Sequence, residues 1–269
     1  MIMSHRHRFI FLHARKCAGS SVTAYLNPVL GPDDIQIGAW NDTLKNNGSV
    51  NRASLVKLFS DRHALRESVK HLMSLKTIKS PVTRLYGSLN VGVKTAWIAQ
   101  LGENPAHATA ERLLSVFPYE FKHYEKIAIY RNPVDYELSD YYWRIRKRNS
   151  DISFKEFLRL KLDWKRCARE RDPLIPNPVT NEDIYFLKGN MIIDRLIPLD
   201  DIERKLGEFS VDRGFAQKPI PKAKAATTRK SHDKSQFITD FQIRELISQL
   251  HAKEYEYGLA SSATLFEGL

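Results

Sequence analysis

The stretch Arg8–Leu26, RFIFLHARKCAGSSVTAYL, decides how the rest of the chain is read. Its first part is a short apolar run without alternation, as a parallel strand buried on both faces requires, so a strand is predicted over residues 8–13. Its second part predicts a helix with Ser20 as N-cap, running to Leu26 ahead of Pro28. Between them lies a charged turn, Ala14–Ser21. In a parallel α/β sheet, ligands bind outside the carboxyl ends of the strands, where a helix N-terminus offers unpaired amides and a partial positive charge. Ala18 and Gly19 permit close backbone approach, Ser20 and Ser21 add hydroxyl donors and Lys16 adds a point charge. Such a turn suits a phosphate or similar oxyanion. A plain strand-to-helix turn with solvated basic residues has the same composition, and the loop alone does not separate the two. The nucleotide-triphosphatase pattern GxxxxGK[ST] is absent, because the lysine precedes the glycine, which disfavours a metal-dependent kinase.

A second strand–loop–helix unit follows in EKIAIYRNPVDYELSDYYWRIRKR, with a strand predicted over Lys126–Tyr130, Asn132 as N-cap and Pro133 as the first helical residue. Arg131 falls at the carboxyl end of that strand. Ser139 lies seven residues beyond Asn132, about two helical turns, so both share a face and the Ser139 hydroxyl and Arg131 guanidinium are placed to converge on one anion. The alternative is that Arg131 pairs with Asp135 or Asp140. A third unit, MIIDRLIPLDDIERKLGEF, predicts a strand over Ile192–Ile197 and a helix after Asp200. Strands alternating with helices predict an α/β fold of three layers, a central parallel sheet flanked by helices. Elsewhere, Leu55, Leu58, Phe59, Leu65, Val69, Leu72 and Met73 are spaced for two helices between Asn51 and Leu75, and Ala108–Val116 reads as another. QKPIPKAKAATTRKSHDKSQ reads as a flexible basic loop. Phe237–Tyr257 then closes the chain as an amphipathic helix carrying Phe241, Leu246, Ile247 and Leu250.

The 269 residues are expected to form a single large domain, with an elaborated insertion. Lysine and arginine outnumber acids by 42 to 31, a formal charge of +11, which attracts polyanions without choosing among nucleic acid, acidic membrane, phosphorylated cofactor or anionic glycan. The two cysteines, Cys17 and Cys167, lack CxxC spacing, so neither a disulfide scaffold nor a zinc site is indicated, and a reducing compartment is expected. FIFL is shorter than a signal-peptide core, and no stretch approaches the roughly 20 apolar residues of a membrane span. A cytoplasmic protein is the resulting expectation.

Two candidate anion sites at the ends of two parallel strands suggest a ligand with two separated anionic groups. Here the sequence resembles a known family. FLHARKCAGSS is similar to the 5′-phosphosulfate loop, H-x-P-K-T-x-G-T-S, of sulfotransferases that use 3′-phosphoadenosine 5′-phosphosulfate (PAPS), and IAIYRNPVDYELSDYY is similar to their 3′-phosphate motif, R-[ND]-P-x(5)-S. The tail from IIDRLIPLDDIERKLGEF onward resembles the carbohydrate-sulfotransferase-like branch, and HATAERLLSVFPYEFKHYEKIAIYRNP resembles its bacterial members. The resemblance spans about residues 8–38 and 105–259. Residues 40–100 have no counterpart and are assigned to a helical insertion on the acceptor side. Arg15 stands where the family usually has proline, Cys17 where it has threonine and Ala18 where it has the first glycine.

The resemblance implies a P-loop-nucleotide-hydrolase-like sulfotransferase fold and metal-free, in-line sulfuryl transfer from PAPS to a hydroxyl of a carbohydrate or other small polar acceptor. It implies that Arg15, Lys16, Cys17, Ala18, Gly19, Ser20 and Ser21 form the 5′-phosphosulfate loop, with Lys16 stabilising the bridging oxygen. Arg131 and Ser139 would hold the 3′-phosphate. Arg229 and Lys230 are candidates to close over the adenosine end. His107 is the candidate general base, being placed between the two cofactor motifs, with His123 and Glu103 in reserve. His13 reads as a structural hydrogen-bonding residue, and Tyr141, Tyr142 and Trp143 as mostly core. Two other classes stay open: a non-catalytic polyanion or nucleic-acid binder on a similar scaffold, without a recognised nucleic-acid motif, and a nucleotide kinase.

Overall fold

The computed structural model describes residues 1–74, 81–148, 151–167, 175, 179–221, 237 and 239–259. Among the described residues seven short strands form: β1 Ile2–Ser4, β2 Phe9–Leu12, β3 Ile35–Gln36, β4 Glu125–Tyr130, β5 Phe186–Leu187, β6 Asn190–Met191 and β7 Arg195–Pro198. The α-helices, in chain order, are α1 Gly19–Leu26, α2 Trp40–Lys45, α3 Arg52–Ser60, α4 Arg62–Met73, α5 Pro81–Thr95, α6 Ile98–Leu101, α7 Ala110–Val116, α8 Pro118–His123, α9 Pro133–Arg148, α10 Phe154–Cys167, α11 Glu182–Tyr185, α12 Ile202–Asp212, α13 Phe241–Leu250 and α14 Ala252–Glu256. The chain divides into two compact units, one of Met1–Tyr130 with Ile184–Ala225, the other of Arg131–Asp183 with Ala226–Leu269.

The first unit is built on a five-stranded sheet of order β3-β1-β2-β4-β7. Phe9, Ile10, Phe11 and Leu12 are all buried, as an unalternating apolar run demands. Strand β4 pairs in parallel with β2, Phe9 opposite Glu125 and Leu12 opposite Ala128, and with β7, Ile127 opposite Arg195. The expected α/β class and parallel centre are therefore present. The antiparallel edge formed by β1 and β3 is an addition to the expected parallel sheet. Its hairpin turn is organised by buried Asp34, whose carboxylate accepts from the Ser4 hydroxyl at 2.8 Å and the His5 amide at 2.7 Å. Helix α12 places Phe209 edge-on against Phe9, with ring centroids 5.5 Å apart.

The predicted helix pair between Asn51 and Leu75 is α3 and α4, capped by Asn51, which accepts from the Ser54 amide at 3.2 Å, and Asp61, which accepts from the Ala64 amide at 2.9 Å. Helix α5 packs on α4 through small residues. The Ser68 and Ser88 hydroxyls lie 2.8 Å apart, and a Cβ added to Gly92 would come within 2.5 Å of a Leu58 methyl.

In the second unit, α9, α10 and α13 share a core that includes Val134, Leu138, Phe157, Leu158, Ile243, Ile247 and Leu250. The closing segment departs from the single predicted helix: it breaks at His251 into α13 and α14. Its buried stripe uses Ile243, while Phe241 is 67% exposed. Within this core Lys161, fully buried, donates to both Glu137 oxygens at 2.8 and 2.5 Å and sits 3.4 Å from Asp140. His251 lies between Glu137, at 2.9 Å, and Glu254, at 3.0 Å. Burial opposes a charge on His251, but the two carboxylates outweigh it and raise its pKa to about 9.

Among the described residues no helix is long and apolar enough to cross a membrane, and no three His, Cys, Asp or Glu side chains gather so as to hold a metal ion.

Candidate active site

Strand β2 ends at Leu12, and the next residues form a tight turn in which Lys16 (φ +60°) and Ala18 (φ +53°) both take the left-handed conformation. Ala18, not Ser20, is the N-cap of α1: its carbonyl accepts from the Ser21 amide at 2.9 Å and the Val22 amide at 3.2 Å. The left-handed residue turns the chain into the helix early, and Ser20 becomes a buried first-turn residue. Gly19 has a steric reason to be glycine. A Cβ there would stand 1.8 Å from Cδ2 and 2.0 Å from Nε2 of His13, so the start of α1 lies directly on that ring. Arg15 and Lys16 remain partly exposed on the turn.

Cys17 is buried. Its thiol donates to the Arg15 carbonyl at 3.1 Å and lies 3.7 Å from the Tyr185 hydroxyl, which in turn donates to the Ile129 carbonyl at 2.9 Å. The side chain at this position is packed inward, so what Cys17 offers a bound anion is backbone. Tyr185 ties the turn to the last residues of β4.

His107 ends a short 3-10 turn, Pro105–His107, held to the sheet where the Met1 nitrogen donates to the Ala106 carbonyl at 2.9 Å. Its Nδ1 is 2.6 Å from the His13 carbonyl oxygen, and the two rings meet edge to face with centroids 4.5 Å apart. A carbonyl only accepts, so Nδ1 carries the proton and Nε2 keeps its lone pair, the tautomer a general base needs. Burial is the main cause that lowers the His107 pKa, to about 3, with the Met1 amino group and then Arg15 and Lys94 adding to it against the opposing His13 hydrogen bond. This departs from the expectation of a base poised near working pH. The physical reason is the desolvation of a half-buried imidazole with cations nearby. Lys94 was not a candidate in the sequence: it sits on α5, in the stretch without a counterpart, and only tertiary packing brings it beside His107. Its side chain crosses Gly38, where an added Cβ would stand 3.0 Å from the Lys94 Cε.

In the second unit the predicted helix start is met. The Asn132 carboxamide oxygen accepts from the Val134 amide at 2.9 Å, and its carbonyl accepts from the Tyr136 amide at 2.8 Å, so α9 begins at Pro133. Arg131 immediately follows β4. Ser139, partly exposed, lies between buried Leu138 and Asp140. Asp140 pairs with Arg144 at 3.1 Å and with Lys161 at 3.4 Å. The Tyr141 hydroxyl donates to the Ile152 carbonyl at 2.8 Å and its ring packs on Phe154 and Phe157, while Trp143 is 41% exposed. Of the reserve bases, Glu103 is exposed, and His123 is exposed ahead of the amino end of β4, about 20 Å of strand away from its carboxyl end. Arg229 and Lys230 lie outside the described residues, as do residues 222–236 of the basic loop as a whole.

These residues define an α/β protein with a cationic strand-to-helix turn and, beside it, a neutral imidazole of fixed tautomer. No family model matches the chain, and no curated protein matches it. Among solved structures it is similar to the crystal structure of a sulfotransferase from Alicyclobacillus acidocaldarius, with 17% sequence identity and a TM-score of 0.41 over 96% of this chain and 98% of that one.

Proposed function

We propose that the chain is a sulfotransferase that takes a sulfuryl group from PAPS to a hydroxyl of a carbohydrate or other small polar acceptor. One observation carries the reading: at the carboxyl end of a parallel strand, His107 presents an unprotonated Nε2 while Arg15 and Lys94 act on it as neighbouring positive charges. The residues present fit an anionic cofactor, because the positive charges of Arg15 and Lys94, which add to burial in lowering the His107 pKa, are what a bound phosphate would offset. Bound PAPS supplies an activated sulfuryl group, open to in-line displacement without a metal.

Lys16, with the amides and hydroxyls of Gly19, Ser20 and Ser21, holds the 5′ end and steadies the charge that develops there. Arg15, Cys17 and Ala18 shape the turn. On the strength of the motif resemblance, Arg131 and Ser139 take the 3′-phosphate, and Arg229 and Lys230 the adenosine end. His107 accepts the acceptor's hydroxyl proton on Nε2, and its basicity rises once anion binding neutralises the charges around it. A cytoplasmic setting belongs to the same reading and rests on two cysteines without disulfide spacing.

The experiment is a thermal melt with 3′-phosphoadenosine 5′-phosphate. The nucleotide is expected to raise the melting temperature, and Arg131→Ala to abolish the shift. An unchanged melt at saturating nucleotide would refute the cofactor. His107→Ala should keep the shift and lose sulfuryl transfer by about 10²-fold or more. Transfer at a near wild-type rate would remove His107 as the base.

A further inference from the structure

Helices α3, α4 and α5 are amphipathic in an inverted sense. Where they meet, they are built from small residues, with Ala64, Ser68, Ser88 and Gly92 buried. Leu58 and Val93 are buried with them, but many of the bulky apolar side chains turn outward: Val56, Phe59, Val69, Met73, Val82 and Leu85 are each between 49% and 69% exposed. Single exposed apolar residues are ordinary, but six on three consecutive, mutually packed helices are a surface that calls for a partner.

The chemistry of that partner is written along α4. An open groove of about 410 Å³ is lined by two parallel ridges, each stepping four residues: Leu65, Val69 and Met73 on one, Arg62, Arg66 and Lys70 on the other. Lys70 also meets Glu67 at 2.6 Å in an exposed pair, which subtracts little from the cationic ridge. A second copy of the chain docking by a two-fold axis would set this cationic ridge against itself. A nucleic acid would satisfy the cations and leave the apolar ridge in water. A bilayer with anionic headgroups satisfies both, its phosphates meeting the cations and its acyl boundary receiving Val69 and Met73. The overall +11 charge draws the chain toward such a surface. We infer that the α3–α5 face docks in the plane of an anionic lipid membrane, with α4 as the principal contact.

The test is co-sedimentation of the full chain with phosphatidylcholine vesicles, with and without about a third phosphatidylglycerol. Binding is expected only with the anionic lipid and is expected to be released by high salt. Arg62→Gln/Arg66→Gln/Lys70→Gln should weaken it by about a hundredfold, and Val69→Ser/Met73→Ser by about tenfold, in proteins whose circular dichroism matches the wild type. Should the apolar variant fail to fold, Phe59→Ser/Leu85→Ser makes the same test on another part of the face. No sedimentation with anionic vesicles at low salt overturns the inference. So does wild-type binding by the apolar variants, which would assign the attraction to net charge alone. A dimer in light scattering that the same substitutions dissolve would give the face to a second copy. The inference stands apart from the sulfotransferase reading, since these variants should keep the nucleotide-dependent rise in melting temperature.

Discussion

Adjacent residues of the turn should respond in opposite directions to single substitutions. Ala18 pays a steric cost of about 1–2 kcal/mol for its left-handed backbone, part of which glycine would give back through its freedom in the unfolded chain. Ala18→Gly is therefore expected to raise stability by about 0.5–1 kcal/mol in urea unfolding. Gly19→Ala drives a methyl group into the His13 ring and should lower stability by about 1–3 kcal/mol. Equal effects of the two would show that the turn is not held as described. His107 illustrates how environment redefines a residue type. Its place between the two motifs was legible from the chain, but its tautomer depends on a carbonyl 94 residues away. Its low basicity comes mainly from burial, with a smaller part from Lys94, and no local pattern announces either. The thiol of Cys17, similarly, is directed by Tyr185, 168 residues further on.

At the level of elements, the second unit concentrates its charge where water does not reach. Lys161→Met removes the buried cation that Glu137 and Asp140 share, leaving each only its second partner, His251 or Arg144, and should cost about 3–5 kcal/mol, read from urea midpoints. Midpoints within about 1 kcal/mol of wild type would show that the network is not held in the interior. His251 adds a dependence on pH. Its folded pKa of about 9 lies above the ordinary 6.5, so its contribution is complete below pH 6.5 and is lost as pH rises through 9. The urea midpoint should fall across that interval in step with the imidazole's NMR titration; a flat midpoint would contradict the pairing. The elements themselves were legible where one local signal was strong. FIFL is too apolar and unalternating to be anything but buried, though exposed Arg8 stays outside the strand, and Asn132 before Pro133 leaves little choice of helix start. β1 was missed because three residues carry no usable period and its outer partner, β3, is two residues long. The closing helix was placed with the wrong edge because a helical period tolerates both Phe241 and Ile243 until something packs on one of them.

For the molecule as a whole, the order of the chain matters as much as its charge. The first unit is discontinuous: residues Ile184–Ala225 rejoin it only after Arg131–Asp183 has been laid down elsewhere. Tyr185 belongs to that returning piece, and through it Cys17 is closed off by a contact spanning 168 residues. Closing so long a loop is entropically dear, and contacts of high sequence separation form late. The Ala14–Ser21 turn is therefore among the last parts of the protein to mature, and during synthesis it exists first without its inner support. Cys17 keeps time for that step. In a Cys167→Ser background, pulsed alkylation during refolding should find Cys17 reactive after most helical signal has returned, its protection appearing only with the slowest phase. Protection within the earliest phase would show that the turn completes itself without waiting for the returning segment that carries Tyr185.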